Sequence, residues 1–431
     1  MRIKGFSIRF LFCQLLLGSL LLSAYPTTSE AIPEFSRKYN VNCSMCHAAF
    51  PRLNEFGQSF IDSNYRMPNW RDNTISGGDE RLALPDHVPL AIRAQAFAQA
   101  REGEVIDVTT GEVTQADADF QSPYLIKILS SAPLSEHITY YFYGIFAEKG
   151  GNGETIIEDA WFSHDDLFGS GAGMMIGQFQ VSDLMYPRET RLTFQDFMVY
   201  RMAGITYDRG IAFDYSLGGM DLAIGAVNGN GISSNLTINS PGYKRPDHLF
   251  DNDNSKAIFG RLGTELGPVS GGLFAYSGFQ KNATGVAGSS SGNRDTDKRV
   301  FGFDLNGKIG SQAYWFSQVL WNEWDEFINV GQNYKWFGGF VGIDYVHSPT
   351  WTYSALYNYA NANDLDNSDT IYEGIDMETL TFTASHYFML NIKGVIEYNI
   401  DLLDTVQKTG TYYTGHLSKE DYLLLGFDAA F

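Results

Sequence analysis

From residue 89 onward the chain alternates. In Pro89–Arg101 the even positions carry Leu90, Ile92, Ala94, Ala96, Ala98 and Ala100, and the odd ones include Arg93, Gln95, Gln99 and Arg101. Successive side chains of a strand point to opposite faces, so this segment has one small apolar face and one polar face. The same rhythm returns near 120–131, 136–148, 155–164, 172–181, 209–217, 220–228, 256–266, 269–280, 298–309, 311–322, 333–347, 350–361, 377–388, 391–403 and 417–431. With the first, that makes sixteen segments.

The connections alternate too. Long ones fall near 102–119, 149–154, 182–208, 229–255, 281–297, 323–332, 362–376 and 404–416. Between them lie tight turns such as Leu217-Gly218-Gly219, Gly267-Pro268, Gly310 and His347-Ser348-Pro349. Outer-membrane barrels have short periplasmic turns and longer external loops. An even strand number returns both chain ends to the periplasmic side. The last segment alternates Leu423, Leu425, Phe427, Ala429 and Phe431, and it ends on an aromatic. The pattern predicts a mainly β fold: an antiparallel outer-membrane β-barrel of about 16 strands over 89–431. The competing folds are a soluble sandwich or propeller, but no propeller-type repeat stands out.

Composition agrees. With 25 Tyr, 31 Phe and 44 Gly, the balance favours strands and turns. A mean hydropathy of -0.19 argues against a bundle of membrane helices but leaves a barrel open, because its lipid and lumen faces average out. A net charge of -20 argues against a nucleic-acid partner, which needs a positive field. It suits solubility, or a lumen and loops that attract cations.

Residues 1–31 read as a signal peptide. Arg2, Lys4 and Arg9 precede an apolar stretch, Phe10 to Ala24, and Ser29-Glu30-Ala31 is a small-x-small cleavage site. Cys13 leaves with that segment, so the exported chain keeps two cysteines. Residues 32–88 form the second unit, a small helical domain and a polar linker. Leu53, Phe56, Gly57 and Phe60 fit one helical face.

Both remaining cysteines fall in Cys43-Ser44-Met45-Cys46-His47, a C-x-x-C-H motif. Two thiols in one turn can each add to a haem vinyl group, and the adjacent His47 then faces the iron. The alternatives are a redox dithiol or disulfide, or half of a zinc site. Zinc needs a second ligand pair and a thioredoxin-like dithiol needs a βαβ context, and neither occurs. The expected cofactor is therefore one covalent haem c. For the sixth ligand Met67 leads and His87 is the alternative. His137, His164, His248, His347, His386 and His416 are dispersed and read as strand or loop surface. Acidic stretches at 251–254, 323–326 and 364–369 read as solvated external loops.

The segments Ile32-Pro33-Glu34-Phe35-Ser36-Arg37-Lys38-Tyr39 and Phe50-Pro51-Arg52-Leu53-Asn54-Glu55-Phe56-Gly57-Gln58-Ser59-Phe60, together with the motif they flank, resemble the fused cytochrome–porins of bacterial outer membranes. That group includes outer-membrane iron oxidases, and the resemblance covers about 35 residues. It implies a mono-haem domain joined to a barrel, with Cys43 and Cys46 as thioether anchors and His47 as axial ligand. The spacer between His47 and Phe50 is only Ala48-Ala49, shorter than in the iron oxidases and without their second histidine. The expected role is electron transfer in the outer membrane between a periplasmic electron carrier and an extracellular redox partner, Fe(II) among the candidates. The expected surroundings are outer-membrane lipid. The rival functions are a diffusion porin with a haem-bearing plug or redox sensor, and an oxidoreductase with an open iron position.

Overall fold

The computed structural model describes residues 34–67, 75–76, 83–84, 89–102, 104–106, 113–115, 118–146, 156–229, 254–280, 296–365, 376–389, 391–403 and 421–431. The barrel strands are β1 (Ala91–Glu102), β2 (Ala118–Pro133), β3 (Ile138–Ile145), β4 (Ile156–His164), β5 (Gly173–Gln180), β6 (Tyr207–Leu217), β7 (Met220–Val227) and β8 (Ala257–Leu266). They continue as β9 (Val269–Gln280), β10 (Thr296–Ile309), β11 (Ala313–Asp325), β12 (Asn333–Val346), β13 (Trp351–Asn361), β14 (Met377–Met389), β15 (Ile392–Asp401) and β16 (Asp421–Ala430). Each pairs antiparallel with the next, and β16 pairs with β1 to close the barrel. Phe431 and Ile92 complete that seam by exchanging backbone hydrogen bonds of 2.6 and 2.8 Å. Closure matters because lipid offers no partner to an open strand edge. All sixteen expected segments carry a strand.

Period-two patterning becomes two surfaces. Along β12, Tyr334, Trp336, Phe340 and Asp344 are buried inside, while Phe337, Val341, Ile343 and Tyr345 are exposed outside. The outer face is thus apolar, as a lipid-facing wall needs to be. At the β6–β7 turn Gly218 and Gly219 take positive φ of 61° and 82°, which glycine tolerates without a steric penalty.

Two inserts enter the barrel. The first is the connection from β5 to β6, expected as an external loop. It folds inward and carries a short helix, α3 (Val199–Met202). Its Phe197 stacks on Phe340 at 4.2 Å between ring centroids, and its Tyr186 stacks on Phe316 at 4.8 Å. Met198 and Met202 join Leu320, Trp324 and Leu356 in one buried apolar cluster. Polar ties hold the loop in place: Gln195 N–H donates to Glu397 at 2.8 Å, and Lys298 Nζ donates to the Gly204 carbonyl at 2.8 Å. The expectation failed here because apolar residues facing a lumen look, in sequence, like any other loop residues.

The second insert is residues 34–67, at the end of the barrel where β1 begins, β16 ends and the short turns lie. It holds α1 (Glu34–Tyr39) and α2 (Glu55–Asp62). Helix α2 starts where Asn54 accepts a 2.9 Å bond from the Gly57 N–H, an N-cap. Leu53 lies outside the helix, in a short strand paired with His47, so the expected helical face narrows to Phe56, Gly57 and Phe60. Phe60 packs edge-on against Phe35 at 5.0 Å and Tyr39 at 5.8 Å.

Side chains tie this plug to the wall. Arg66 donates to the carbonyls of Ser135 (2.7 Å), Glu136 (2.5 Å) and Ile138 (3.0 Å) around the β2–β3 turn. Arg52 forms a buried ion pair with Asp344 on β12. Arg52 also lies over the rings of Phe316 (5.0 Å) and Tyr186 (5.8 Å), so it touches both the wall and the inward loop. Removing one partner of a buried pair costs about 3–5 kcal/mol, while apolar replacement of both is far milder. Arg52→Met is expected to loosen the plug, seen as faster proteolysis of residues 34–67 in barrels that still show heat-modifiable mobility. The double variant Arg52→Met with Asp344→Leu is expected to recover most of the protection.

Candidate functional site

The motif that carries chemistry lies in the plug. Cys43–Met45 is a single 3₁₀ turn, closed by Met45 N–H to Asn42 (2.9 Å) and Cys46 N–H to Cys43 (3.2 Å). This turn puts Cys43 at its start and Cys46 directly after it. Both are free and part-buried, and Cys43 Sγ lies 3.9 Å from Ser36 Oγ on α1. Burial raises the Cys46 thiol pKa, and Cys43 adds to the rise.

Asn54 organises the loop. Its Nδ2 donates to the carbonyls of Ser44 (3.2 Å) and Met45 (3.0 Å), and its backbone N–H donates to Cys46 (2.9 Å). The same side chain caps α2, so one residue fastens the cysteine turn to the helix. Gly57 explains the tight fit: a Cβ there would sit 2.0 Å from the Cys46 carbonyl oxygen.

His47 is oriented by its own chain. Its Nδ1 lies 3.1 Å from the Pro51 carbonyl oxygen. A carbonyl only accepts, so Nδ1 carries the proton and Nε2 keeps its lone pair. Burial pushes the imidazole pKa down to about 4, against the carbonyls of Pro51 and Arg52, and the Lys393 charge lowers it further. His47 is thus neutral near pH 7, as a metal ligand must be. Phe50 stands edge-on to the imidazole at 5.2 Å. Two free thiols in one turn beside a neutral imidazole with a fixed Nδ1 match the donor set of a covalent haem.

The other predicted residues are less connected. Met67 follows the Arg66 anchor and is half-buried. Among the described residues no hydrogen bond links Met67 to His47. His87 lies outside the described residues. His137 and His164, far apart in sequence, stack at 5.5 Å beside the Asp165 carboxylate, which is 2.8 Å from His137. Among the described residues no group of three or more His, Cys, Asp or Glu is arranged to hold a metal ion. Of the acidic stretches expected in loops, Glu323 instead lies on β11 and pairs across strands with Arg299 of β10 (3.6 Å) and Lys335 of β12 (3.8 Å), while Asp364 accepts from the Lys335 N–H (2.9 Å). Asp251, Asp253 and residues 366–369 lie outside the described residues.

Sequence reasoning missed the wall residues around the motif. Tyr387 Oη and Lys393 Nζ both donate to the Phe50 carbonyl, at 3.0 and 2.9 Å. Arg93 lies 5.3 Å over the Phe50 ring and forms a two-pronged pair with Asp428 at 3.0 and 2.8 Å. The one sequence signal was the polar character of these particular inward positions, which is ordinary on barrel strands.

No protein-family profile matches the chain, and no curated protein does. Solved structures do. The outer membrane channel DcaP of Acinetobacter baumannii matches with a TM-score of 0.55 and 13% identity, over 80% of this chain and 97% of that one. The anion-selective porin from Comamonas acidovorans gives 0.53 and 13%, over 80% and 99%. OmpT of Vibrio cholerae gives 0.50 and 11%, over 79% and 97%. The chain has the fold of an outer-membrane porin. At such identities the likeness concerns the barrel alone.

Overpacking a tight site costs about 1–3 kcal/mol. Gly57→Ala is therefore expected to push α2 off the cysteine turn. In protein made without haem maturation, alkylation of Cys43 and Cys46 is expected to speed up several-fold, while Gln58→Ala, at an exposed neighbour, leaves it unchanged.

Proposed function

We propose that this chain is an outer-membrane cytochrome–porin. One covalent haem c, anchored on Cys43 and Cys46 with His47 as axial ligand, sits in a plug at the periplasmic mouth. It passes electrons between a periplasmic carrier and an extracellular donor or acceptor, Fe(II) among them. The observation that carries the reading is the 3.1 Å contact from His47 Nδ1 to the Pro51 carbonyl, which fixes the tautomer and the ring plane of the ligand. The haem supplies a one-electron couple. The plug supplies the thiols, the oriented imidazole and an aromatic surround, and the barrel shields them from lipid. Met67 is the proposed sixth ligand and His87 its alternative. Residues 1–31 are the proposed export signal.

A diffusion porin is the second reading, favoured by the barrel's likeness to porins. The buried apolar side chains Val300, Leu320, Phe340 and Leu356 on the inner wall of β10–β13 favour the first reading over an open water-filled lumen.

Protein matured with a haem-attachment system is expected to give a haem-staining band that survives denaturation, and a low-spin reduced spectrum. A far-red band in the oxidised state identifies Met67 rather than His87 as sixth ligand. The double variant Cys43→Ser with Cys46→Ser is expected to lose the stain and keep heat-modifiable barrel mobility. No covalent haem in matured wild-type protein overturns the proposal. Large steady conductance in planar bilayers then supports the porin reading.

A further inference from the structure

The turn that orients His47 is held by the barrel as well as by the plug. Phe50 and Pro51 are adjacent. The Pro51 carbonyl faces His47 Nδ1, while the Phe50 carbonyl accepts from both Tyr387 on β14 and Lys393 on β15. On the next two strands Asp428 and Arg93 complete the setting. Asp428 lies 3.6 Å from Lys393 and 2.8 Å from Arg93, and Arg93 covers the Phe50 ring. These four strands run across the seam where the barrel closes on itself. The ligand turn is thus clamped by wall residues more than 300 positions away in sequence.

We propose that Tyr387 and Lys393 are positioning residues for the axial histidine, and that the Lys393 ammonium raises the reduction potential of the site. This inference rests on the haem reading above. Arg93 is engaged by Asp428 at 2.8 Å and Glu189 at 3.8 Å, and Arg52 by Asp344, whereas the Lys393 ammonium donates directly to the ligand turn and stands farther, 3.6 Å, from Asp428. A cation close to a redox centre disfavours the oxidised form, which carries one more positive charge, and so favours reduction. In a low-dielectric mouth that influence is stronger than at a wet surface. The two hydrogen bonds add a mechanical part. They fix the Phe50 carbonyl, hence the next peptide, hence the carbonyl that holds Nδ1. A plug outside a closed barrel would keep its thiols and its histidine but lose both effects.

Potentiometric titration of the matured full-length protein tests this, with haem stain and heat-modifiable mobility recorded on each variant. Lys393→Met leaves Asp428 paired with Arg93, so no carboxylate is stranded. It is expected to lower the midpoint potential, and Lys393→Arg is expected to restore it. An unchanged midpoint in folded, haem-bearing Lys393→Met overturns the inference, as does an equal fall in Lys393→Arg. If Lys393→Met does not fold, Tyr387→Phe decides. It removes one hydroxyl and no charge, and is expected to broaden the low-spin electron-spin signal and lower the midpoint by less. A spectrum and midpoint identical to wild type in Tyr387→Phe overturn the clamp. Absence of haem from wild type is a different result, which removes the haem reading itself.

Discussion

A bilayer offers no water to an unpaired backbone group, so a strand that crosses it must be paired on both edges. Everything in this chain follows from meeting that demand by closure. The seam between β16 and β1 joins the two ends of 89–431 and leaves no edge. Closure then fixes which side chains face inward, and with them what can be held in the lumen. It also brings β14, β15, β16 and β1 side by side, although their sequences lie at opposite ends of the chain.

The lumen this creates is occupied from two directions. The β5–β6 connection folds in and packs its apolar side chains against the inner wall of β10–β13. The plug enters from the mouth near the short turns. They meet at Arg52, which pairs with Asp344 and lies over Tyr186 of the loop and Phe316 of the wall. A guanidinium suits that place, since its flat face covers rings while its edge donates to a carboxylate. The plug thus docks through specific polar ties, beside an aromatic contact of Tyr65 with Tyr141 (5.1 Å) and Trp161 (5.6 Å) on the wall. Arg66 does the same at the β2–β3 turn with three backbone carbonyls.

Much of the architecture is legible in the sequence. Lipid demands an apolar outer face at every second residue, so Leu90 to Ala100 and Leu423 to Phe431 declare their strands openly. Short turns declare themselves through glycine and proline. The inward loop was not legible, because Phe197, Met198 and Met202 carry no periodic signal and pack against strands up to 160 residues away. At the site, Cys43, Cys46 and His47 stood out because their spacing itself carries the chemistry. The Pro51 carbonyl did not, since any backbone can provide one. Leu53 was misplaced into the helix because Asn54, the true cap, follows it directly. Tyr387 and Lys393 were invisible for a further reason: an inward polar residue on a barrel strand is ordinary until the fold shows what it faces.

The account holds that the barrel encloses a redox centre rather than an open passage. Electron transfer across a sealed membrane tests that most directly. Matured protein would be oriented in liposomes with a reduced carrier enclosed and a membrane-impermeant ferric acceptor added outside. The account predicts that the enclosed carrier is oxidised only when the haem-bearing protein is present, with no leak of the carrier itself. Retention of the reduced carrier beside a fully loaded, correctly inserted haem protein would contradict it.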